Sequence, residues 1–208
     1  MDSSIIILSQ EQRKELTTIP ENISDYVMAK YYTLSEEDIY HIQTHRRDTN
    51  KLGFAIQLCC IKYPGWGFTS TKAIPEKVLN YVSKQLGISP INIHSYGERK
   101  NTRTKHIEEI CTWYGYRPFT STESQALEEY IEQKAIVSDE SFSLVKSGID
   151  FLRNNKIILP GITTIERIVR KVCISIESSL FSDIYSCLVP EQYKLLDKII
   201  DSQNEKVK

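Results

Sequence analysis

A chain of 208 residues, 40% hydrophobic and 25% charged, has the composition of a globular protein of one or two domains. It has no apolar run long enough to span a membrane, and Ile5–Leu8 is too short for a signal peptide, so we expect an intracellular protein and no membrane partner. The net charge of −1 argues against a uniformly basic nucleic-acid binder.

The distribution of charge along the chain is more informative than its sum. Residues 41–117 carry 12 basic and five acidic side chains, a net charge of +7, and residues 151–175 carry five and one, a net charge of +4. The blocks at residues 1–40, 118–150 and 176–208 are net acidic. A block of +7 in a nearly neutral protein suggests a surface that faces a polyanion.

Capping residues and helically spaced apolar residues predict a succession of helices, and no stretch alternates with period two for long enough to form a strand. The predicted helices cover residues 9–17, 20–32, 35–45, 48–63, 75–86, 89–96, 98–115, 122–137 and 139–154, a long one that begins near Thr163, and a last one from Pro190. The fold class is therefore all-α. We expect an N-terminal helical lead at residues 1–32, a first module at 33–117, and a second module at 118–208 that ends in a frayed charged tail.

The most apolar of these helices follows the arginine pair Arg46–Arg47. Asp48–Asn50 is a run of capping residues, and apolar side chains then lie on nearly every side of the helix until Pro64–Gly65 ends it. The helix is therefore predicted to be buried, with two cations at its N-terminal end, where free backbone N–H groups favour an anion. The alternative is a core helix beside a solvated arginine pair.

Two stretches have the outline of a helix-turn-helix, which gives two consecutive modules of that kind. In the first, Gly87 separates a helix from a short one, and a helix with a basic first half follows at residues 98–115. In the second, Leu159–Gly161 forms the turn, and Thr163–Thr164 caps a helix whose exposed residues are basic. Many α-helical folds contain this outline without contacting DNA.

Nothing in the sequence nominates a catalytic or metal site. The five cysteines are odd in number and show no zinc spacing or redox pair, which predicts buried reduced thiols. His41 and His45 share a helix face but have no further ligands nearby in the sequence. No phosphate-binding loop, nucleophile elbow or nucleotide fingerprint occurs, so we expect no cofactor and no metal.

A series of short motifs spans the chain in order. They are Tyr32–Asp38, Arg46–Ala55, Gln57–Leu58, Tyr63–Gly65, Gln85–Gly87, Tyr96, Arg99, Thr102–Arg103, His106, Tyr114–Arg117, Phe119, Leu159–Gly161, Glu166–Arg167, Leu188–Gln192 and Leu196–Asp197. In this order they resemble the N-terminal region of replicative transposases of the Tn-three family, over about residues 8–200. The specificity rests on the ordered set and not on any single motif.

The resemblance implies a DNA-binding protein. In such transposases, which are much longer chains, an N-terminal region with tandem helix-turn-helix modules binds the terminal inverted repeats of the transposon. A downstream ribonuclease-H-like domain, with an acidic triad and a divalent metal, performs strand transfer. The resemblance therefore implies double-stranded DNA and the remainder of the transposase as partners, no catalysis by this chain alone, and a bacterial cytoplasmic location at the nucleoid. A homodimer is left open.

The residues expected to contact DNA are basic or small polar side chains in the two cationic blocks. They are Arg46, Arg47, Asn50, Lys51, Arg99, Lys100, Thr102, Arg103, Lys105, Thr163, Thr164, Arg167, Arg170 and Lys171. Which of them read bases is left open, because phosphate contacts usually outnumber base contacts. The rival hypothesis is a helical interaction or dimerisation module without direct DNA contact, which would explain the nearly neutral charge.

Overall fold

The computed structural model describes residues 7–67, 74–96, 100–137 and 140–204. In chain order its α-helices are α1 Gln10–Thr17, α2 Asp25–Tyr32, α3 Glu36–Gln43, α4 Asp48–Lys62, α5 Glu76–Leu86, α6 Ile93–Tyr96, α7 Lys100–Tyr114, α8 Ser121–Ala135, α9 Ser141–Asn154, α10 Ile162–Cys187 and α11 Pro190–Asn204. A 3-10 helix, Pro90–Asn92, precedes α6. No strand forms within these ranges, so the predicted all-α class is confirmed, whereas the helix-turn-helix geometry stays a prediction.

Several helices begin where their capping residues predict. Ser9 and Ser35 each accept a hydrogen bond from a backbone N–H of the first turn, and a side chain of that turn accepts one from the serine N–H in return. At α8 the Glu123 carboxylate accepts a hydrogen bond from the backbone N–H of Thr120, the N-cap residue. These contacts satisfy backbone groups that the helix itself leaves unpaired.

One predicted helix start and two predicted sets of N-capping residues are wrong. α2 begins at Asp25 behind the N-cap Ser24, because Pro20 lies in a turn that the backbone N–H of Ile23 closes. The N-cap of α4 is Arg47, so the capping run Asp48–Asn50 lies inside the first turn. The N-cap of α10 is Gly161, so Thr163 and Thr164 likewise lie inside the first turn of the helix. Neither α4 nor α10 has a side chain capping its N-terminus.

The first hydrophobic core surrounds α4. All ten residues from Leu52 to Ile61 are buried, as an apolar surface on every side requires, and helices α2, α3, α5, α6 and α7 pack around them. Gly53 is essential to this packing, because a Cβ there would lie 2.2 Å from Cδ2 of Tyr96. The glycine therefore lets the short helix α6 lie directly against α4.

The second hydrophobic core consists of α8, α9 and the first three turns of α10. Gly148 lies where α9 approaches α8, with Leu127 Cδ1 3.2 Å from the position of a Cβ. The predicted N-terminal lead contributes to both cores, since Leu8 is buried in the second core and Ile19 in the first. The lead thus packs along both groups of helices. The division of the chain into three domains stays a prediction.

The turn after α4 joins the two cores. The indole Nε1 of Trp66 donates a hydrogen bond to the carbonyl oxygen of Pro160 at 2.7 Å, and the backbone N–H of Leu159 donates one to the carbonyl oxygen of Gly65 at 3.1 Å. Gly65 has a φ of 111°, which favours glycine, and a Cβ there would meet Leu159 Cδ1 at 2.5 Å. The end of α4 is therefore held against the turn before α10.

Arg153 of α9 strengthens this junction. Its guanidinium donates to the carbonyl oxygen of Pro64, with Nε at 2.7 Å, and lies over the ring of Tyr63 at 5.0 Å from the ring centroid. A planar cation that stacks on an aromatic ring while donating hydrogen bonds suits an interior contact. This member of the second cationic block is therefore a structural residue.

α10 extends far beyond the second core. Its 26 residues span about 39 Å, but its buried residues end at Val172. From residue 174 to residue 187 every side chain except the partly buried Ile176 is exposed. α11 follows, and Tyr193 packs edge-to-face against Tyr185 of α10, with ring centroids 4.7 Å apart. No helix in the described ranges is long and apolar enough to cross a membrane.

Candidate nucleic-acid interface

Part of the first cationic block converges where α4 begins. The α4–α7 cluster is defined as Arg46, Arg47, Lys51, Arg103 and Lys105. The ring of His45, the residue before Arg46, lies 4.6 Å from the ring of His106 in α7. Arg103 is one helical turn before His106 and therefore on the same face of α7. This contact brings the arginine pair and the basic half of α7 together, although they are more than 50 residues apart in the sequence.

Exposure within the cluster suits a surface that meets an anion. Arg46, Arg47 and Lys105 are exposed, and Arg103 is half-buried. The charge of Arg103 also acts on the phenol of Tyr96 below it. Burial raises the pKa of that phenol, and the positive charge of Arg103 opposes part of the rise. Arg103 is therefore close to the packed base of the cluster, while Arg46, Arg47 and Lys105 face solvent.

Buried, uncharged groups support the α4–α7 cluster. His106 Nδ1 lies 3.0 Å from the hydroxyl of Tyr96, and His45 Nε2 lies 3.5 Å from Oε2 of Glu109. Burial, together with the proximity of His45, lowers the pKa of His106 to about 4. Burial, with the charge of Lys51, also lowers the pKa of His45. Both imidazoles are therefore neutral at pH 7, and they position the surface cations without adding charge.

The remaining predicted contacts in this block differ in their placement. Lys51 donates a hydrogen bond to Oε1 of Gln43 at 2.6 Å, which directs its ammonium towards the end of α3. Asn50 and Thr102 are half-buried in the first turns of α4 and α7. Arg99 lies outside the described residues.

Lys100 begins α7, but its side chain is also outside the described part. His94 and Ser95, which the sequence analysis did not name, are exposed in α6. The Ser95 hydroxyl lies 3.4 Å from that of Thr49 in the first turn of α4, so α6 borders the cluster. The helix-turn-helix outline contained this signal, because α6 is the short helix after its turn.

The second cationic block forms a surface on α10. The α10 cluster is defined as Thr163, Thr164, Arg167, Arg170 and Lys171. Thr163, Arg167 and Lys171 are spaced four residues apart, so they share one helix face, and all three are exposed. Lys171 contacts Oε2 of Glu128 in α8 at 2.7 Å. This pairing reduces the charge that the far end of the cluster presents to a partner.

The two clusters lie towards opposite ends of α4. Arg46 and Arg47 precede its first turn, whereas Trp66 follows its last turn and is bonded to Pro160, just before α10 begins. A helix of 15 residues is about 22 Å long. The start of α10 is therefore separated from the arginine pair by roughly the length of α4.

Other cations of the +7 block are paired within the fold. The pairs join it to the neighbouring acidic blocks, and they are Lys62–Asp38 at 2.8 Å, Lys77–Asp25 at 2.8 Å and Arg117–Glu123 at 3.3 Å. In the same way, Arg13, which lies in the acidic block at residues 1–40, contacts Glu166 of α10 at 3.0 Å. Part of the alternation of charge along the sequence therefore serves packing between segments and not a ligand.

The cysteines and histidines show no built catalytic arrangement. All five cysteines are free, and burial raises the pKa of Cys59 to about 12, which keeps that thiol protonated. The prediction of buried thiols is wrong for Cys187, which is exposed. His41 stacks on Trp113, with ring centroids 4.3 Å apart. Within the described ranges no three His, Cys, Asp or Glu side chains are grouped as metal ligands.

Comparison with known proteins identifies the family. Residues 7–172 match the model of a family described as a domain of unknown function, DUF4158. The chain belongs to this family. This DUF4158 chain is 40% identical over 198 residues to the transposase for transposon Tn1546 of Enterococcus faecium. It is 35% identical over 162 residues to the transposase for transposon Tn501 of Pseudomonas aeruginosa.

The alignments cover most of the DUF4158 chain but little of each relative. They include 95% and 78% of this chain, and 20% and 16% of the Tn1546 and Tn501 transposases. The transposase for transposon Tn21 of Escherichia coli, 30% identical over 161 residues, is covered to 16%. The chain thus spans about a fifth or less of the length of these curated relatives. The resemblance to transposases that the ordered motifs indicated is confirmed.

Proposed function

We propose that this chain is a DNA-binding module of a transposase, which recognises the terminal inverted repeats of a transposon and has no catalytic role of its own. The observation that carries the proposal is the contact between His45 and His106, which places the residue before Arg46 and Arg47 against the helix that carries Arg103. The family membership gives that surface a nucleic-acid context. Strand transfer then belongs to another part of a longer transposase, which is the second partner we propose.

The geometry of α4 suits a phosphate. No side chain caps its N-terminus, so its first backbone N–H groups are available beside the guanidinium groups of Arg46 and Arg47. α10 also lacks a side-chain cap, because its N-cap is Gly161, and Thr163 and Thr164 lie in its first turn. Cations beside an open helix N-terminus bind a phosphate more tightly than either feature does alone.

The separation of the clusters matches an extended polyanion. The α4–α7 cluster and the α10 cluster lie towards opposite ends of a helix about 22 Å long, and one turn of B-DNA is about 34 Å. We infer that the two clusters contact phosphates at different positions along one duplex. Base reading then falls to side chains beside these phosphate contacts, among which Asn50 and Thr102 have the required chemistry.

The test is a titration of the 208-residue chain with a fluorescent duplex of the element's own terminal repeat and with an unrelated duplex. The variant Arg46→Ala/Arg47→Ala should weaken binding to both, and the slope of log K against log salt should fall by about 2. The control Lys134→Ala/Lys146→Ala removes the same charge from exposed positions in an acidic block and should leave the slope unchanged.

Two outcomes would reject the proposal. If the wild-type chain binds neither duplex, the rival hypothesis of an interaction module without DNA contact is correct. If the arginine and lysine variants weaken binding equally, only net charge matters and the cluster is not the site.

A further inference from the structure

His45 and Glu109 face each other with one buried polar atom each. Nε2 of His45 lies 3.5 Å from Oε2 of Glu109. Both atoms are shielded from solvent, and neither has a hydrogen-bond partner within the described ranges. Buried polar atoms are normally paired, so an unpaired one needs an explanation. Protonation of the imidazole would satisfy both atoms, because an imidazolium beside a carboxylate forms an ion pair with a charge-assisted hydrogen bond.

Burial keeps His45 neutral near pH 7 in the free chain. Its side chain is 12% exposed, and the centroid of its ring lies 4.8 Å from that of Phe54 and 4.6 Å from that of His106. Burial lowers the pKa of His45, and the charge of Lys51 lowers it further. Burial also raises the pKa of Glu109. The ion pair is therefore opposed by desolvation of both groups and by a neighbouring cation.

Cations of the α4–α7 cluster come from the segments that meet at His45. Arg46 is the next residue in the chain, Lys51 lies in α4, and Lys105 is one helical turn before Glu109 in α7. The remaining titratable or charged groups at neighbouring positions of these segments are His41 in α3, Arg47, Asp48 in α4, and Arg103, His106 and Glu108 in α7. Positive charges near an imidazole oppose its protonation. A polyanion that neutralises the cluster removes part of this opposition.

We propose that duplex binding by the α4–α7 cluster is coupled to the uptake of one proton from solvent by His45, whose imidazolium then pairs with Glu109. This inference rests on the proposed function and adds a regulation of the same site. The coupling is reciprocal: because the bound duplex favours the protonated ring, a lower pH favours the bound duplex. The new ion pair also strengthens the contact between α7 and the turn that carries Arg46 and Arg47.

The first measurement is an NMR titration of the histidine rings in the 208-residue chain, free and bound to a duplex of the element's own terminal repeat. The chain has four histidines, and the signal that disappears in His45→Gln is that of His45. In the complex the midpoint of the His45 titration should lie higher by roughly 0.5–1.5 pH units. Neutralising one charge about 8 Å away has this effect at an effective dielectric constant between about 20 and 80.

The second measurement is the affinity for the same duplex at fixed salt between about pH 7.5 and pH 5.5. The wild-type chain should bind about 3–10-fold more tightly at the lower pH, since linked uptake of part of a proton changes log K by that part per pH unit. His45→Gln should lose most of this gain, and Glu109→Gln should reduce it although it removes a negative charge. The matched control is His41→Gln, one turn earlier in α3, where the ring also faces a carboxylate, that of Glu37 at 3.9 Å. This control should retain the gain.

Three results would overturn the proposal. The first is a His45 midpoint that is the same in the free chain and in the complex. The second is a gain in affinity at low pH that is as large in His45→Gln as in the wild type. Either of these leaves the proposed function standing. The third is a wild-type chain that binds no duplex at any pH, which rejects the proposed function as well.

Discussion

Substitution of Gly53 by alanine tests how α4 and α6 fit together. An added Cβ would lie 2.2 Å from Cδ2 of Tyr96 and 2.4 Å from two further ring atoms. Normal carbon contacts begin near 3.5 Å, so the ring must move by about 1.3 Å. The ring is 1% exposed, and its hydroxyl is bound to His106, so it has no free space to enter. The four-residue helix α6 must therefore shift away from α4.

The expected loss of stability follows from two opposing contributions. Overpacking of this kind costs about 1–3 kcal/mol, and more where the backbone must move. Replacing glycine by alanine inside a helix contributes about 1 kcal/mol of stability through backbone entropy. Because the clash is with a buried ring and not with a flexible chain end, we expect Gly53→Ala to lower the free energy of unfolding by about 2 kcal/mol.

Urea unfolding followed by circular dichroism measures this change, and a double-mutant cycle assigns its cause. In a Tyr96→Leu background the ring is gone, so Gly53→Ala should cost much less. Gly148→Ala is the matched control, because the nearest atom there is the Leu127 methyl group at 3.2 Å, which can move aside. A Gly53→Ala variant as stable as the wild type, or more stable, would refute the close approach of α6 to α4.

Two further predictions concern α7. Arg103→Ala should weaken binding to specific and unrelated duplexes alike and lower the salt slope by about 1, as for a lost phosphate contact; titrations that superimpose on the wild type would remove α7 from the interface. The pKa of His106, about 4 when folded, lies below its ordinary value of 6.5, so the unfolded state binds more protons between these values and stability should fall as pH drops from 6.5 to 4. His106→Gln should reduce this loss of unfolding free energy by up to roughly 3 kcal/mol, as measured by urea unfolding at several pH values. The control His94→Gln, at an exposed position of α6, should leave the pH dependence unchanged. If both variants show the same dependence of stability on pH, the assignment to His106 is wrong.

The all-α class could be read from the sequence because its signals are local. A serine followed by an acceptor side chain three residues later begins α1 and α3, and an apolar run without a polar side marks α4 as central. The N-cap of α4 could not be read in this way, because five polar residues follow one another from Arg46 to Asn50. The packing of His45 on α7 fixes where the chain leaves α3, and that contact is not local.

The candidate site was only partly predictable for a similar reason. Periodicity places Arg167 and Lys171 on one face of α10, but it does not reveal that Glu128 of α8 pairs with Lys171. The same applies to Lys62, whose partner Asp38 lies in another block. Charge blocks indicate where cations are concentrated. Only the packing of the helices decides which of them remain available for a ligand.

At the junction between the cores, the residues that donate the side-chain hydrogen bonds should tolerate mutation less well than the residues that accept them. Trp66 and Arg153 donate through their side chains, whereas the acceptors at Pro64 and Pro160 are backbone carbonyl oxygens. A carbonyl is present whatever residue occupies those two positions, but an indole N–H or a guanidinium is not. The two side-chain hydrogen bonds of the junction are therefore encoded by their donor residues. Natural variation that keeps the cores together should spare the tryptophan and the arginine while the acceptor positions drift.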